Sequence, residues 1–414
     1  MSEHDCDQVY DVEAIRKDFP ILGEKIYGQP LAYLDNGASS QKPSCVIELM
    51  DQTYRGNYAN VHRGLHFLSN AATDAYENAR TSVQQFIHAH SSDQIVFTKN
   101  ATEAINLVAY SWAMPRLHAG DEIIVSIMEH HSNLVPWHFL RERQGVKLVF
   151  VPVDDDGVLH VEDFERAITP KTKLAAMTQM SNVLGTITPI KAMIDLAHQR
   201  NFPILVDGSQ AAVHLPVNVE DLGCDWYVFT GHKLYGPSGI GVLYGKSERL
   251  EEMQPFLGGG EMIDEVTMNN ITYNHPPHRF EAGTPPIVEA IGLGRALQYI
   301  ETIGRDEILR YEQALTSYAL QQLETVQDLR IFGKAKERGG IISFAVAGIH
   351  AHDIATYIDR MGVAIRAGTH CAQPLLQRFN MTSTCRASIA LYNNKTDIDQ
   401  LVAALHKART FFNV

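Results

Sequence analysis

Short apolar runs that stop at polar or ionisable residues recur along the first half of this chain, with helical patterns between them. Residues 95–98, 123–126, 147–153, 174–178, 204–207 and 226–229 are rich in strand formers and lack helical spacing, which predicts buried strands. Helical segments such as 104–113 and 190–199 separate them. Alternation of this kind implies a largely parallel sheet covered on both faces, an α/β fold. Ahead of it lie a short helical pattern that ends before Phe19, a strand-like run at 31–34 and helical spacing at 74–88. Residues 255–286 break the rhythm with glycine, proline and polar residues, and so long an irregular stretch is expected to be functional or a contact surface. Helical spacing at 287–303 then leads to a second unit. There, 308–326 is helical, 340–346 and 363–366 are strand-like, and Ile398, Leu401, Val402 and Leu405 mark an amphipathic final helix. The expected division is an N-terminal arm (1–30), a large domain (31–290) and a small α+β domain (291–414).

The strand ends carry the chemistry. The run at 226–229 delivers Thr230, His232 and Lys233 to one place, and its neighbour at 204–207 ends in Asp207. Ligands in open α/β sheets sit at the carboxyl ends of strands, and a lysine imine with an aspartate beneath a pyridine nitrogen is the signature of pyridoxal phosphate binding. The strand at 95–98 gives way to Asn100-Ala-Thr-Glu103, a capping-box variant whose helix N-terminus is also a ready anion site, with Thr102 adding a hydroxyl. His130 stands at the next strand end, where an imidazole can lie flat against an aromatic cofactor; the bland alternative for the pair 130–131 is two polar turn residues. Cys371 sits among Gly, Thr, His and Gln, unlike Cys45, Cys224 and Cys385 among apolar or strand residues, so it is the candidate reactive thiol. Alternation over 384–392 places Arg386 beside small residues that leave it room to bind a carboxylate bidentately.

Composition narrows the class. With 35 Lys+Arg against 48 Asp+Glu the formal charge is −13, and no basic run breaks that balance, so nucleic acid is not an expected partner. The acidic N-terminus lacks the pattern of a signal peptide and no stretch is long and apolar enough to span a bilayer, so the expected address is cytoplasmic, without a membrane. Five cysteines without CxxC spacing argue against a disulfide framework and a cysteine-rich zinc site, and no metal is expected.

In combination the motifs resemble the fold-type I pyridoxal phosphate-dependent cysteine desulfurases of the class V aminotransferase family, most closely their Suf-type, short-loop branch. The resemblance runs from about Phe19 to the C-terminal helix. It rests on LDNGASSQKP (34–43), VHRG (61–64), ATEAINLV (101–108), MEHHSNLVPW (128–137), SNVLGT (181–186), VDGSQA (206–211), TGHKLYGPSGIG (230–241), RFEAGTP (279–285), RAGTHCAQP (366–374) and CRAS (385–388). It implies that Lys233 holds the cofactor covalently, Asp207 pairs with the pyridinium nitrogen, Gln210 bonds the ring hydroxyl and His130 stacks on the ring. It further implies that Thr102, Thr230 and His232 hold the phosphate, with Thr284 reaching it from the other subunit of a homodimer. Asn182 and Arg386 would bind the carboxylate of L-cysteine, with Arg366 near the cysteine loop and Arg63 entering from the partner. Cys371 is the implied nucleophile, and its persulfide passes to a sulfur-acceptor protein of the Suf system, for iron–sulfur cluster assembly. Selenocysteine lyase and class V aminotransferase are the neighbouring activities. Where some members carry a second threonine this chain has Ala101, and where some carry histidine it has Thr369. The compact loop implies that Cys371 does not swing far and that sulfur leaves through a docked acceptor.

Overall fold

The apolar runs of the first half form one sheet. In the computed structural model, which describes residues 10–414, its seven strands are β1 (Ile95–Thr98), β2 (Glu122–Ser126), β3 (Lys147–Val151), β4 (Thr172–Thr178), β5 (Ile204–Asp207), β6 (Trp226–Thr230) and β7 (Gly241–Gly245), ordered β1-β7-β6-β5-β4-β2-β3. Strands β2 to β6 run parallel, and β7 runs antiparallel to its neighbours β1 and β6. Alternate residues divide between two cores. Trp226, Val228, Leu205, Leu174 and Ile123 pack on one face, and Tyr227, Phe229, Val206, Met177 and Ile124 on the other. Both faces being covered, these strands need no polar alternation.

β7 is not among the strands predicted above. Gly241 is there for a steric reason: a Cβ on it would lie 2.4 Å from the backbone of Asn100. The strand passes hard against the start of the helix Ala101–Val108, and only glycine permits that approach.

A second, antiparallel sheet contains β8 (Leu329–Phe332), β9 (Ile341–Val346), β10 (Arg366–Gly368) and β11 (Thr384–Ser388) in the order β8-β9-β11-β10. Leu315, Phe344, Ile354, Leu401 and Leu405 share the core that joins this sheet to the helices Arg305–Leu323, Ala351–Asp359 and Lys395–Phe412. The chain reaches this part early: Ala32–Tyr33 pairs in parallel with Val363–Ala364, and Ser388 N–H donates to the Leu34 carbonyl at 2.7 Å. Residues 31–34, placed above at the start of the large domain, therefore build onto the C-terminal part, and the chain crosses to the large sheet after Asp35. From the preceding arm, Arg16 Nη1 donates to the Tyr392 carbonyl at 2.7 Å and to Asp397 at 2.9 Å. Residues 1–9 of that arm, including Cys6, lie outside the described residues.

The stretch 255–286 is not wholly irregular. It holds a hairpin, Ile263–Val266 with Ile271–Tyr273, and Val266, Met268, Ile271 and Tyr273 are exposed on it. Among the described residues no helix is long and apolar enough to cross a membrane.

Candidate active site

The carboxyl ends of the parallel strands converge on a cavity of about 280 Å³. Asp207 is the last residue of β5, and Thr230 the last of β6, from which a single turn, Gly231–Lys233, carries His232 and Lys233 into the wall. The chain after β2 supplies His130, and Asn100, Ala101 and Thr102 enter from the helix that follows β1. Asn182, Gln210, Arg366, Cys371 and Arg386 complete the lining among the residues expected from sequence. Arg63 and Thr284 do not join it in the single chain. Arg63 pairs with Glu261 at 3.0 Å with its side chain 56% exposed, and Thr284 is exposed.

Burial sets the charge states on the floor of the cavity. The Lys233 amine lies deep in the protein yet faces the cavity, and its pKa is pushed down to about 8 by burial, with Asp207 opposing the shift. Asp207 is 5% exposed, and one of its oxygens accepts the Ser209 N–H at 2.9 Å. His130 is pushed down to about 3 by burial and then by the charge of Lys233, so its ring is neutral in the working range. Its Nδ1 accepts the Ser132 N–H at 3.1 Å, which leaves the proton on Nε2. His232 is likewise lowered to about 4, by burial and then Lys233. Gln210 Nε2 donates to the Gly37 carbonyl at 2.8 Å. The Thr230 hydroxyl makes only a long contact, 3.5 Å, to the Ile240 carbonyl.

At the rim, two arginines and the cysteine loop are tied together. Arg386 is 2% exposed; its Nη1 donates to the Asn182 carbonyl at 2.9 Å, and Asn182 Nδ2 donates to the His370 carbonyl at 2.7 Å. Burial lowers the Arg386 pKa to about 10, a value at which the guanidinium stays charged at neutral pH. Asp35 accepts from Arg366 at 2.9 Å and from Arg386 at 3.4 Å. Cys371 is exposed, whereas Cys224 and Cys385 are buried and Cys45 half-buried.

Sequence reasoning missed four contributors. Ser132 links the phosphate candidate to the ring candidate, lying 2.7 Å from Thr102 Oγ1 and 3.0 Å from His130 Nδ1. Glu129 is fully buried and braces the turn that carries His130, Asp35 joins both arginines, and His131 touches the cysteine loop. None stands in a pattern that local spacing reveals; only the adjacency of Glu129, His131 and Ser132 to His130 was a signal.

The lining fits pyridoxal 5′-phosphate. Ser209 Oγ and Arg386 Nε, both in residues that line the cavity, are buried without a hydrogen-bond partner among the described residues, and such groups demand one. Helix-start amides with Thr102, Thr230 and His232 suit a phosphate, Asp207 suits a protonated ring nitrogen, and Lys233 suits an aldehyde. A lysine and an aspartate on neighbouring strand ends of this sheet define a fold-type I pyridoxal phosphate enzyme.

Comparison with known proteins narrows the class. Residues 32–401 match the family described as Aminotransferase class-V. A cysteine desulfurase of Klebsiella pneumoniae is 49% identical over 399 residues, covering 96% of this chain and 98% of that protein. The cysteine desulfurase CsdA of Escherichia coli, solved in an S-sulfonic acid form, superposes with a TM-score of 0.90 at 41% identity, over 97% of this chain and 99% of that one. The apo cysteine desulfurase of Thermococcus onnurineus NA1 gives 0.91 at 39% identity, over 95% and 97%. The chain belongs to the class-V aminotransferase family and, within it, to the cysteine desulfurases.

Proposed function

We propose that this protein converts L-cysteine to L-alanine and carries the sulfur away as a persulfide on Cys371. The observation that carries the reading is the exposed Cys371 on the same cavity that holds Lys233 and the buried Asp207. An aminotransferase has no use for that thiol.

When bound, the cofactor supplies an electron sink for the bonds at the substrate Cα. Lys233 would attach it and, with a pKa near neutrality, accept and return a proton there. Asp207 would keep the ring nitrogen protonated, and the neutral His130 ring would cover one face of it. Thr102, Thr230, His232 and the helix-start amides would hold the phosphate. Arg386 would take the substrate carboxylate, oriented by Asn182, while Arg366 lies beside Cys371. The Cys371 thiolate attacks the substrate sulfur: an S–S bond forms, the C–S bond breaks, and its electron pair passes to Cβ, which is protonated. Alanine and the persulfide form without an outside oxidant.

A sulfur-acceptor protein of the Suf type, serving iron–sulfur cluster assembly in the cytoplasm, suits a persulfide on a short exposed loop. A homodimer suits Arg63 and Thr284, which stand exposed and apart from their own cavity. The same reading divides the chain into an N-terminal arm, a large cofactor-binding domain and a small C-terminal domain, with residues 31–34 belonging to the small one.

The test is an absorbance spectrum of purified protein before and after L-cysteine, with alanine and persulfide measured in the same sample. We expect a visible band that shifts as both products appear. Cys371→Ser should keep the band and lose the persulfide, with turnover down on the order of 100-fold or more, the scale of losing a nucleophile. Full desulfuration by Cys371→Ser would move the reading to selenocysteine lyase or related elimination chemistry.

A further inference from the structure

We propose that His131 is the positioning residue for Cys371, holding the segment 370–373 against the cavity wall through one main-chain and one side-chain hydrogen bond. The inference rests on the reading of Cys371 as the nucleophile. His131 N–H donates to the Cys371 carbonyl at 2.7 Å, and His131 Nε2 accepts the Gln373 N–H at 3.3 Å. One residue of the turn that follows His130 therefore grips the loop on both sides of Ala372.

The loop needs such a grip. His370 and Cys371 have φ of +52° and +55°, and two successive residues with a Cβ in the left-handed region persist only where the surroundings over-determine them. On the N-terminal side His370 is held by Asn182 on its carbonyl at 2.7 Å and by its ring on the Thr384 carbonyl at 3.0 Å. After Cys371, the bonds that cross to another element before the helix Gln373–Arg378 are those of His131, among the described residues. Gln373 opens that helix, whose N-cap residue Ala372 offers no side-chain acceptor, so the imidazole serves an otherwise orphaned amide. Burial favours the neutral ring that this acceptor role requires.

The arrangement has a consequence for the reaction. The thiol must meet a sulfur atom held elsewhere on the cavity wall, and the wall that presents His130 to the cofactor also fixes the loop that presents Cys371. Positioning of this kind contributes to the chemical step and leaves substrate affinity alone. A helix cap without a positioning role would move stability only.

Holoenzyme carrying His131→Leu or His131→Gln separates these cases. Glutamine keeps an acceptor at similar reach and leucine does not; His131→Ala repeats the test should leucine crowd the turn. In His131→Leu we expect faster hydrogen exchange at the Gln373 amide, kcat lower by ~10-fold or more and KM within ~2-fold, the pattern of a lost alignment. Iodoacetamide labelling of Cys371, which needs no alignment with substrate, should change by less than ~2-fold, because exposure and thiolate fraction govern it. His131→Gln should recover both the exchange protection and kcat. Unchanged exchange in His131→Leu, loosened exchange with unchanged kcat, or a glutamine variant as slow as leucine would each overturn the proposal. A wild-type enzyme that forms no persulfide would overturn the reading of Cys371 and the positioning role with it, while the exchange data would still decide whether the tether exists.

Discussion

Glu129 and Asp207 are buried carboxyls near the carboxyl ends of β2 and β5, two strands with β4 between them in the sheet. Glu129 accepts from Ser126 Oγ at 2.6 Å, Asn133 Nδ2 at 2.7 Å and the Thr178 N–H at 2.9 Å. Burial still pushes its pKa up to about 7, against those donors. The folded value lies above the unfolded one, so the native state binds the proton more tightly. Its contribution to stability is complete below the unfolded value and is lost as pH rises through about 7. Glu129→Gln removes this titration. Calorimetry should show wild type losing stability relative to the variant between about pH 5 and 8, by about 3 kcal/mol in total at 1.36 kcal/mol per unit. A pH-independent difference would rule the account out. The contrast with Lys233 shows what single residues reveal in a sequence. Lys233 and Asp207 were legible because each ends an apolar run, which fixes its place in the fold. Glu129, Asp35, Ser132 and His131 act on residues brought near by folding, and their types are ordinary in a polar turn.

At the scale of elements, Glu281 joins pieces that the sequence keeps far apart. It accepts from Arg80 at 2.7 and 2.9 Å across a separation of 201 residues. The same carboxylate accepts the Phe97 N–H at 2.7 Å and the Tyr76 hydroxyl at 3.1 Å. The Arg80 and Glu281 side chains are 1% and 5% exposed. This pair pins the segment leading to Thr284 against the helix Phe67–Phe86 and strand β1. Removing one partner of a buried pair leaves the other charge stranded. Glu281→Gln should cost about 3 kcal/mol, the low end of that range because Glu77 also pairs with Arg80 at 2.8 Å. Urea unfolding should show a lower midpoint at an unchanged slope, and an unmoved midpoint would mean the segment is held by other contacts. The parallel strands were legible from their apolar runs, as were the helices Arg305–Leu323 and Lys395–Phe412 of the C-terminal part, whereas Ala351–Asp359 and Gln373–Arg378 were not. β7 was not, because its Gly241 answers to the backbone of Asn100 and not to any local turn.

At the scale of the molecule, the exposed apolar side chains gather on particular segments. Leu65 and Phe67 follow Arg63, and Val266 and Met268 occupy the hairpin ahead of Thr284. Exposed large apolar side chains clustered on such segments are usually covered in the working protein. Sedimentation should show a species of twice the chain mass that persists on dilution. A monomer that turns over L-cysteine at full rate would remove Arg63 and Thr284 from the site. The exposure of Cys371 has a cost of its own. Among the described residues it is the one exposed thiol, and burial raises the pKa of the half-buried Cys45 and of Cys224 and Cys385. Among the described thiols, peroxide therefore meets Cys371 first. With Cys371 as the proposed nucleophile, its passage to sulfinic acid would halt sulfur transfer with the fold intact, and the cell would then have to protect, repair or replace an otherwise sound enzyme.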